Sequence, residues 1–163
     1  MPHSCRLSLV SALGLAAGAA FAPAGAEDAN LALDALVACS DGTNPEYAAD
    51  GQRAGWFWEA HWPAWLEVDL GRVCALSEVQ VFLWWGNDKR HYRYAVETSC
   101  DRIAWTERVN ERTNAAPSTS EGRRHAIAPA AARYVRLHVF SNSVNAAVHV
   151  REFEVYGRAP EAP

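Results

Sequence analysis

Apolar and polar residues alternate along several short runs of this chain, and the alternation has the two-residue period of strands. The clearest runs are Trp65-Leu66-Glu67-Val68-Asp69-Leu70, closed by Gly71, and Ala75 to Trp84, where Val79, Val81 and Leu83 lie on one side and Gln80, Phe82 and Trp84 on the other. Both sides of the second run carry apolar groups, which predicts a central strand. Tyr92 to Ser99, Trp105 to Val109, His125 to Ile127, Tyr134 to Phe140 and Val148 to Tyr156 continue the series, and Leu31 to Val37 supplies a weaker first strand.

Turn chemistry separates the runs. Asp41-Gly42-Thr43-Asn44-Pro45, Asp50-Gly51, Gly86-Asn87-Asp88-Lys89-Arg90, Asn114 to Gly122 and Ser141 to Asn145 are rich in Gly, Asn, Asp, Ser and Pro, the residues that punctuate sheets. The connection from Gly86 to Arg90 is short enough for a hairpin between its two flanking strands. In the last strand the parity changes: Val148 and Val150 share one face, Phe153 and Val155 the other. A bulge near Arg151-Glu152 reconciles the halves and is expected to aim the Glu152 carboxylate away from the core. No stretch after residue 26 has a useful helical period, so the fold class is an all-β sandwich.

The first 26 residues have a separate logic. Arg6, the small apolar run Leu7 to Ala22 and Ala24-Gly25-Ala26 read as a secretory signal peptide with its cleavage pattern. The remaining 137 residues make one domain, 27–157, with a frayed Pro- and Ala-rich tail, 158–163. A secreted or periplasmic location is expected, in a bacterial setting. No later stretch reaches the roughly 18 apolar residues of a membrane helix.

Charge narrows the partners. The formal net of −4 becomes −5 without Arg6, and no basic cluster is longer than Arg123-Arg124, which argues against nucleic acid. Cys39, Cys74 and Cys100 allow at most one bridge among them, of undetermined pairing. No catalytic signature of the nucleophile-elbow, zincin or phosphate-loop kind is present, nor a pair of carboxylates that marks a glycosidase cleft, and the chain is expected to be no enzyme.

Four of seven tryptophans fall between Tyr47 and Gly71. Trp56 and Trp65 are expected in the core. Trp58, His61, Trp62 and Trp85 are the candidates for ligand contact, with core or edge packing as the equal alternative for the three tryptophans, and Asn87, Arg90 and Asn142 lie on loops able to reach the same end; Lys89 and Asn145 share those loops. Aromatic planes beside hydrogen-bonding groups suit a sugar, which has an apolar C–H face and polar edges. Arg133 and Arg136 are expected to pair with strand carboxylates, and His91, His125, His138 and His149 to be structural.

Taken in order, several segments resemble one family. They are Asn30-Leu31-Ala32, Ala48-Ala49-Asp50-Gly51 with Trp56, Trp65 to Gly71, Tyr94-Ala95-Val96-Glu97-Thr98-Ser99 with Asp101 and Trp105, Ala132 to Leu137, and Val150 to Gly157. Together they are similar to the discoidin, or coagulation factor V/VIII type C, domains, also met among bacterial carbohydrate-binding modules. The resemblance implies a jelly-roll β-sandwich of about eight antiparallel strands. It implies a glycan or glycoconjugate as partner, with a cell-surface adhesion domain for protein or lipid as the alternative. It also implies one structural calcium held by Asp50, Gln52 and Glu152 by side chain and by Tyr47 and Arg151 by carbonyl. Where the family often has Gly after the turn aspartate, Arg102 follows Asp101 here, which leaves the type of that turn open.

Overall fold

A computed structural model describes residues 28–160. The expected leader, 1–26, and the last residues of the tail, 161–163, lie outside the described residues.

Eight strands form, in chain order: β1 Ala29–Asn30, β2 Leu36–Cys39, β3 Trp58–His61, β4 Ala64–Leu83, β5 Tyr92–Ser99, β6 Thr106–Glu111, β7 Arg123–Asn142 and β8 Ala147–Arg158. A 3₁₀ turn, Pro45–Ala49, precedes the Asp50-Gly51 corner. All named pairings are antiparallel, in the order β1-β8-β4-β7-β5-β6, with β2 added to β4 and β3 added to β8. This is the all-β antiparallel sandwich expected from the sequence.

Two layers share β4 and β7. The first part of β4 pairs with β2 and the later half of β7, and its second part pairs with β8 and the earlier half of β7. Leu66, Val68, Val79, Val81, Val96, Val135, Leu137, Val150, Phe153 and Val155 from both layers are buried in one core. The two runs expected as separate strands, Trp65–Leu70 and Ala75–Trp84, belong to one strand with a bulge. Four residues, Leu70 to Val73, face only Arg133 there, and Gly71 makes the corner at φ +74°, where a side chain is disfavoured. Likewise Pro129 does not end the His125 strand. It sits in a second bulge, between the Ala126 and Ala130 pairings of β7, where a missing N–H breaks no ladder bond.

The hairpin expected across Gly86–Arg90 does not form. β7 lies between β4 and β5, so the connection crosses the end of the sandwich instead of joining neighbours. The expected bulge in β8 is present: Glu152 pairs with Phe82 and Val150 with Leu83, leaving Arg151 as the extra residue. Glu152 lies outside the apolar core, as expected, but its carboxylate is fully buried against the Gly51 turn.

Arg133 and Arg136 hold Asp69 and Glu67 at 2.7 and 2.8 Å, as expected. Arg136 also lies 4.5 Å above Trp65 and 3.9 Å above Trp105, so Trp65 is half-buried beneath a guanidinium instead of in the core. Arg102 adopts φ +62°, the conformation glycine takes, at a cost of about 1 kcal/mol. Its contacts offset that: the guanidinium pairs with Glu67 at 2.7 Å and lies 4.2 Å over Tyr134. Cys39 and Cys74 keep free thiols, so none of the three pairings among Cys39, Cys74 and Cys100 forms.

Candidate functional site

The loops at one end of the sandwich are tied to each other through the backbone. β3 and β4 flank β8 on its two sides, and the chain leaving β4 stays with it, since the Trp84 amide donates to the His149 carbonyl at 3.0 Å. The Ser143 amide donates to the His91 carbonyl at 3.0 Å and the His91 amide to the Ser143 hydroxyl at 3.1 Å. Trp62 closes the group, with its indole N–H on the Asn145 carbonyl at 2.7 Å. Segments 52–62, 84–91 and 142–149 therefore form one surface.

At its centre is Arg151, thrown out of register by the β8 bulge. Its guanidinium lies 4.4 Å from the Trp85 ring, 4.5 Å from Trp84 and 5.9 Å from Phe57. Such stacking favours a weakly hydrated planar cation. Nη1 donates to the Gly55 carbonyl at 2.6 Å, whereas Nε is buried and has no hydrogen-bond partner among the described residues. Burial lowers the pKa of this group. In front of it opens a cleft of about 400 Å³, walled by Gln52, Ala54, Gly55, Trp56, Phe57, Trp84 and Arg151.

A second cation borders the first. Arg90 Nε donates to the Asp88 carboxylate at 2.9 Å, with a further short contact from Nη2, and its Nη1 lies 3.4 Å from His149 Nδ1. The Tyr92 hydroxyl sits 2.9 Å from the same nitrogen. With two donors converging, Nδ1 acts as an acceptor and the ring is neutral with its proton on Nε2. Burial lowers the His149 pKa, and Arg90 adds to the effect. Burial also pushes the Tyr92 phenol up to about 12.

The sequence candidates divide between this cleft and its surroundings. Trp85 and Arg90 fall at the cation cluster, and Asn87 is exposed on their loop. His61 is exposed at the end of β3, and Trp62 is half-buried beside it. Trp58 does not belong to a ligand surface: it is 0% exposed, with its indole N–H on the Asp41 carbonyl at 3.0 Å. Asn142 is also a correction. It is buried, its Oδ1 accepts from the Val144 and Asn145 amides at 2.7 and 2.8 Å, and its Nδ2 donates to Asn145 at 2.6 Å, which leaves no group for a sugar. Trp56, expected in the core, is 75% exposed at the cleft wall. Sequence reasoning passed over the side chains of Arg151, Phe57 and Asp88, while His149 is buried and hydrogen-bonded as the structural histidine expected; the signal for Arg151 was the parity change, read there only for Glu152.

The residues assigned to calcium meet beside this surface. Gly51, at φ +80°, turns its N–H onto both Glu152 oxygens at 3.2 Å. Asp50 caps its own turn, accepting the Gln52 amide at 2.8 Å and the Gln52 side chain at 3.3 Å. Tyr47 is half-buried in the 3₁₀ turn just before. The Glu152 pKa is pushed up to about 7, first by burial, with the Gly51 N–H opposing and the charges of Asp50 and Glu154 adding. The nearest cation in sequence, Arg53, is engaged by Glu154 at 2.7 and 3.0 Å. Two carboxylates thus face each other without a counter-charge, which a hard cation fits. Among the described residues no group of three or more His, Cys, Asp or Glu side chains gathers. A cation here would need amide and carbonyl oxygens as well.

A sandwich with its loops gathered at one end over an aromatic surface defines a class of small binding domains. The chain belongs to the F5/8 type C domain family, whose model matches residues 35–153. Among solved structures it is similar to a family 89 glycoside hydrolase from Clostridium perfringens, with TM-score 0.68 and 26% identity over 82% of this chain and 16% of that one. The chain thus spans about a sixth of that enzyme's length. It also shares the fold of chitosan-binding module 1 from a chitosanase/glucanase of Paenibacillus sp. IK-5, with TM-score 0.64 and 22% identity over 79% of this chain and 99% of the module. The CBM32 of AlyQ, in complex with 4,5-unsaturated mannuronic acid, gives TM-score 0.63 and 22% identity over 76% and 95%. No curated protein sequence matches the chain.

Proposed function

We propose that this domain is an exported, non-catalytic carbohydrate-binding module that holds a glycan in the cleft beside Arg151. The observation that carries the reading is the conjunction of Trp56, Phe57 and Trp84 along one open cleft with a guanidinium and the Gln52 amide on its walls. Aromatic planes take the C–H face of a sugar ring, while the polar groups fix its hydroxyls. Arg90, Asn87 and Trp85 extend the surface towards a second sugar unit, and His61 and Trp62 border it on the β3 side. Membership of a family whose solved relatives include modules named for chitosan and pectin binding supports the same reading.

A single structural calcium at Asp50, Gln52, Glu152 and the Tyr47 carbonyl completes the proposal. When bound, the ion supplies charge neutralisation and cross-links the first third of the chain to its last strand. Asp50 and Glu152 provide the charge, and the Gly51 N–H keeps the Glu152 carboxylate oriented.

Isothermal titration against a panel of oligosaccharides and polysaccharides tests the function. Saturable heat with at least one glycan is expected. Silence across the panel, with binding to a protein or a lipid vesicle instead, would establish the adhesion alternative.

A further inference from the structure

Arg151 is a cation in an unusual position. None of the residues lining its cleft is acidic, and it is the only charged residue among them. The carboxylates nearby do not pair with it: Asp88 is held by Arg90, Glu154 by Arg53, and Glu152 turns to the Gly51 amide. Two indoles and Phe57 cover the guanidinium, Gly55 takes one Nη1 proton, and Nε is left buried without an acceptor. Nε is too deep for a ligand to reach, but the guanidinium borders the cleft, and an anion meeting it there would offset part of the cost of a partly desolvated, unpaired charge.

We infer that the sugar selected by the cleft carries a carboxylate, which pairs with the Arg151 guanidinium while its ring packs on the aromatic wall. The inference rests on the glycan reading above and specifies its ligand as an acidic, uronate-type glycan. A carboxylate suits the position better than a bulkier anion. It is planar, like the guanidinium held among Trp84, Trp85 and Phe57, and can meet the fork edge-on. The wall formed by Trp56, Phe57 and Trp84 leaves one side apolar, so charge alone is not sufficient and a free carboxylic acid would bind poorly.

The test compares matched ligands on the native protein at one fixed calcium concentration. Uronic-acid oligosaccharides are titrated beside their carboxyl-reduced forms, which keep linkage and shape but lack the charge, and beside a sulfated neutral glycan. The acidic form should bind at least about tenfold tighter at low salt, with the preference shrinking as salt rises. Arg151→Gln should abolish the preference, and Arg151→Lys, which keeps charge without the planar fork, should restore only part of it. Equal affinity for acidic and reduced forms would overturn the inference and leave the glycan reading standing. A stronger response to the sulfated glycan would overturn the carboxylate assignment, and no binding to any glycan would remove the reading on which it rests. Should the variants fail to fold, the matched pair on the native protein decides alone.

Discussion

Gly51 and Glu152 stand 101 residues apart in sequence, yet the Gly51 amide lies 3.2 Å from both oxygens of the Glu152 carboxylate. One N–H is a small compensation for a fully buried carboxylate with Asp50 and Glu154 as neighbours. The calcium proposed above would supply the missing counter-charge.

Calcium should raise the melting temperature of the purified domain, and chelation should lower it. A ligand at a hundredfold excess over its Kd adds about 2.7 kcal/mol, enough for a shift of several degrees in a domain of this size. Asp50→Ala should remove the response. Glu152→Gln should remove it too while leaving the chelated protein at least as stable as the native one, because it deletes an uncompensated charge. Melting curves that calcium leaves unmoved would eliminate the site.

Trp56 and Trp58 should respond in opposite ways to truncation. Trp58 fills the core and its loss should destabilise by about 3–5 kcal/mol, read as a lowered denaturant midpoint. Trp56→Ala should leave the midpoint within about 0.5 kcal/mol of native and weaken glycan binding. A destabilised Trp56→Ala, or a stable Trp58→Ala, would contradict the assignment of core and surface.

Acid should weaken the fold through His125. Its ring accepts or donates at 2.8 Å with the Tyr94 hydroxyl and faces Glu111 on β6 at 4.0 Å and Arg123 on its own strand. Burial depresses its pKa below 6.5, with Glu111 opposing and Arg123 adding. The unfolded chain then takes up the proton first, so this contribution is present above pH 6.5 and is lost as pH falls below it, by at most about 1.4 kcal/mol per pH unit for one proton. His138 and His149 shift the same way. His125→Gln should therefore flatten part of the decline between pH 7 and 5, and an unchanged slope would assign the effect to the other two.

Much of the sandwich was legible because burial on a pleated strand leaves a two-residue trace. The Arg151 bulge was read from the parity of Val148, Val150, Phe153 and Val155 alone, and the Arg133 and Arg136 pairs followed from opposing charges on strands. Partner choice left no such trace: β4 and β5 look like a hairpin locally, and only the insertion of β7 between them prevents it. Trp56 and Trp58 show the same limit at the site. In Trp58-Glu59-Ala60-His61 the alternation does put Trp58 inward, but a tryptophan two residues away in an irregular segment has no periodicity to place it. The sharpest omission was Arg151, since the stacking of its guanidinium depends on Trp84, Trp85 and Phe57 arriving from two other segments.

β4 and β7, of 20 residues each, run through both layers without a connecting loop. β4 turns its corner at Gly71, yet both strands run unbroken through the two layers, so opening one layer pulls directly on the other. Backbone amides as far apart as Val68 and Val81 on β4, or Ile127 and Val139 on β7, are thereby bound to a single opening event. Native-state hydrogen exchange of those amides is therefore expected to follow global unfolding, with the loops at the ligand end exchanging sooner.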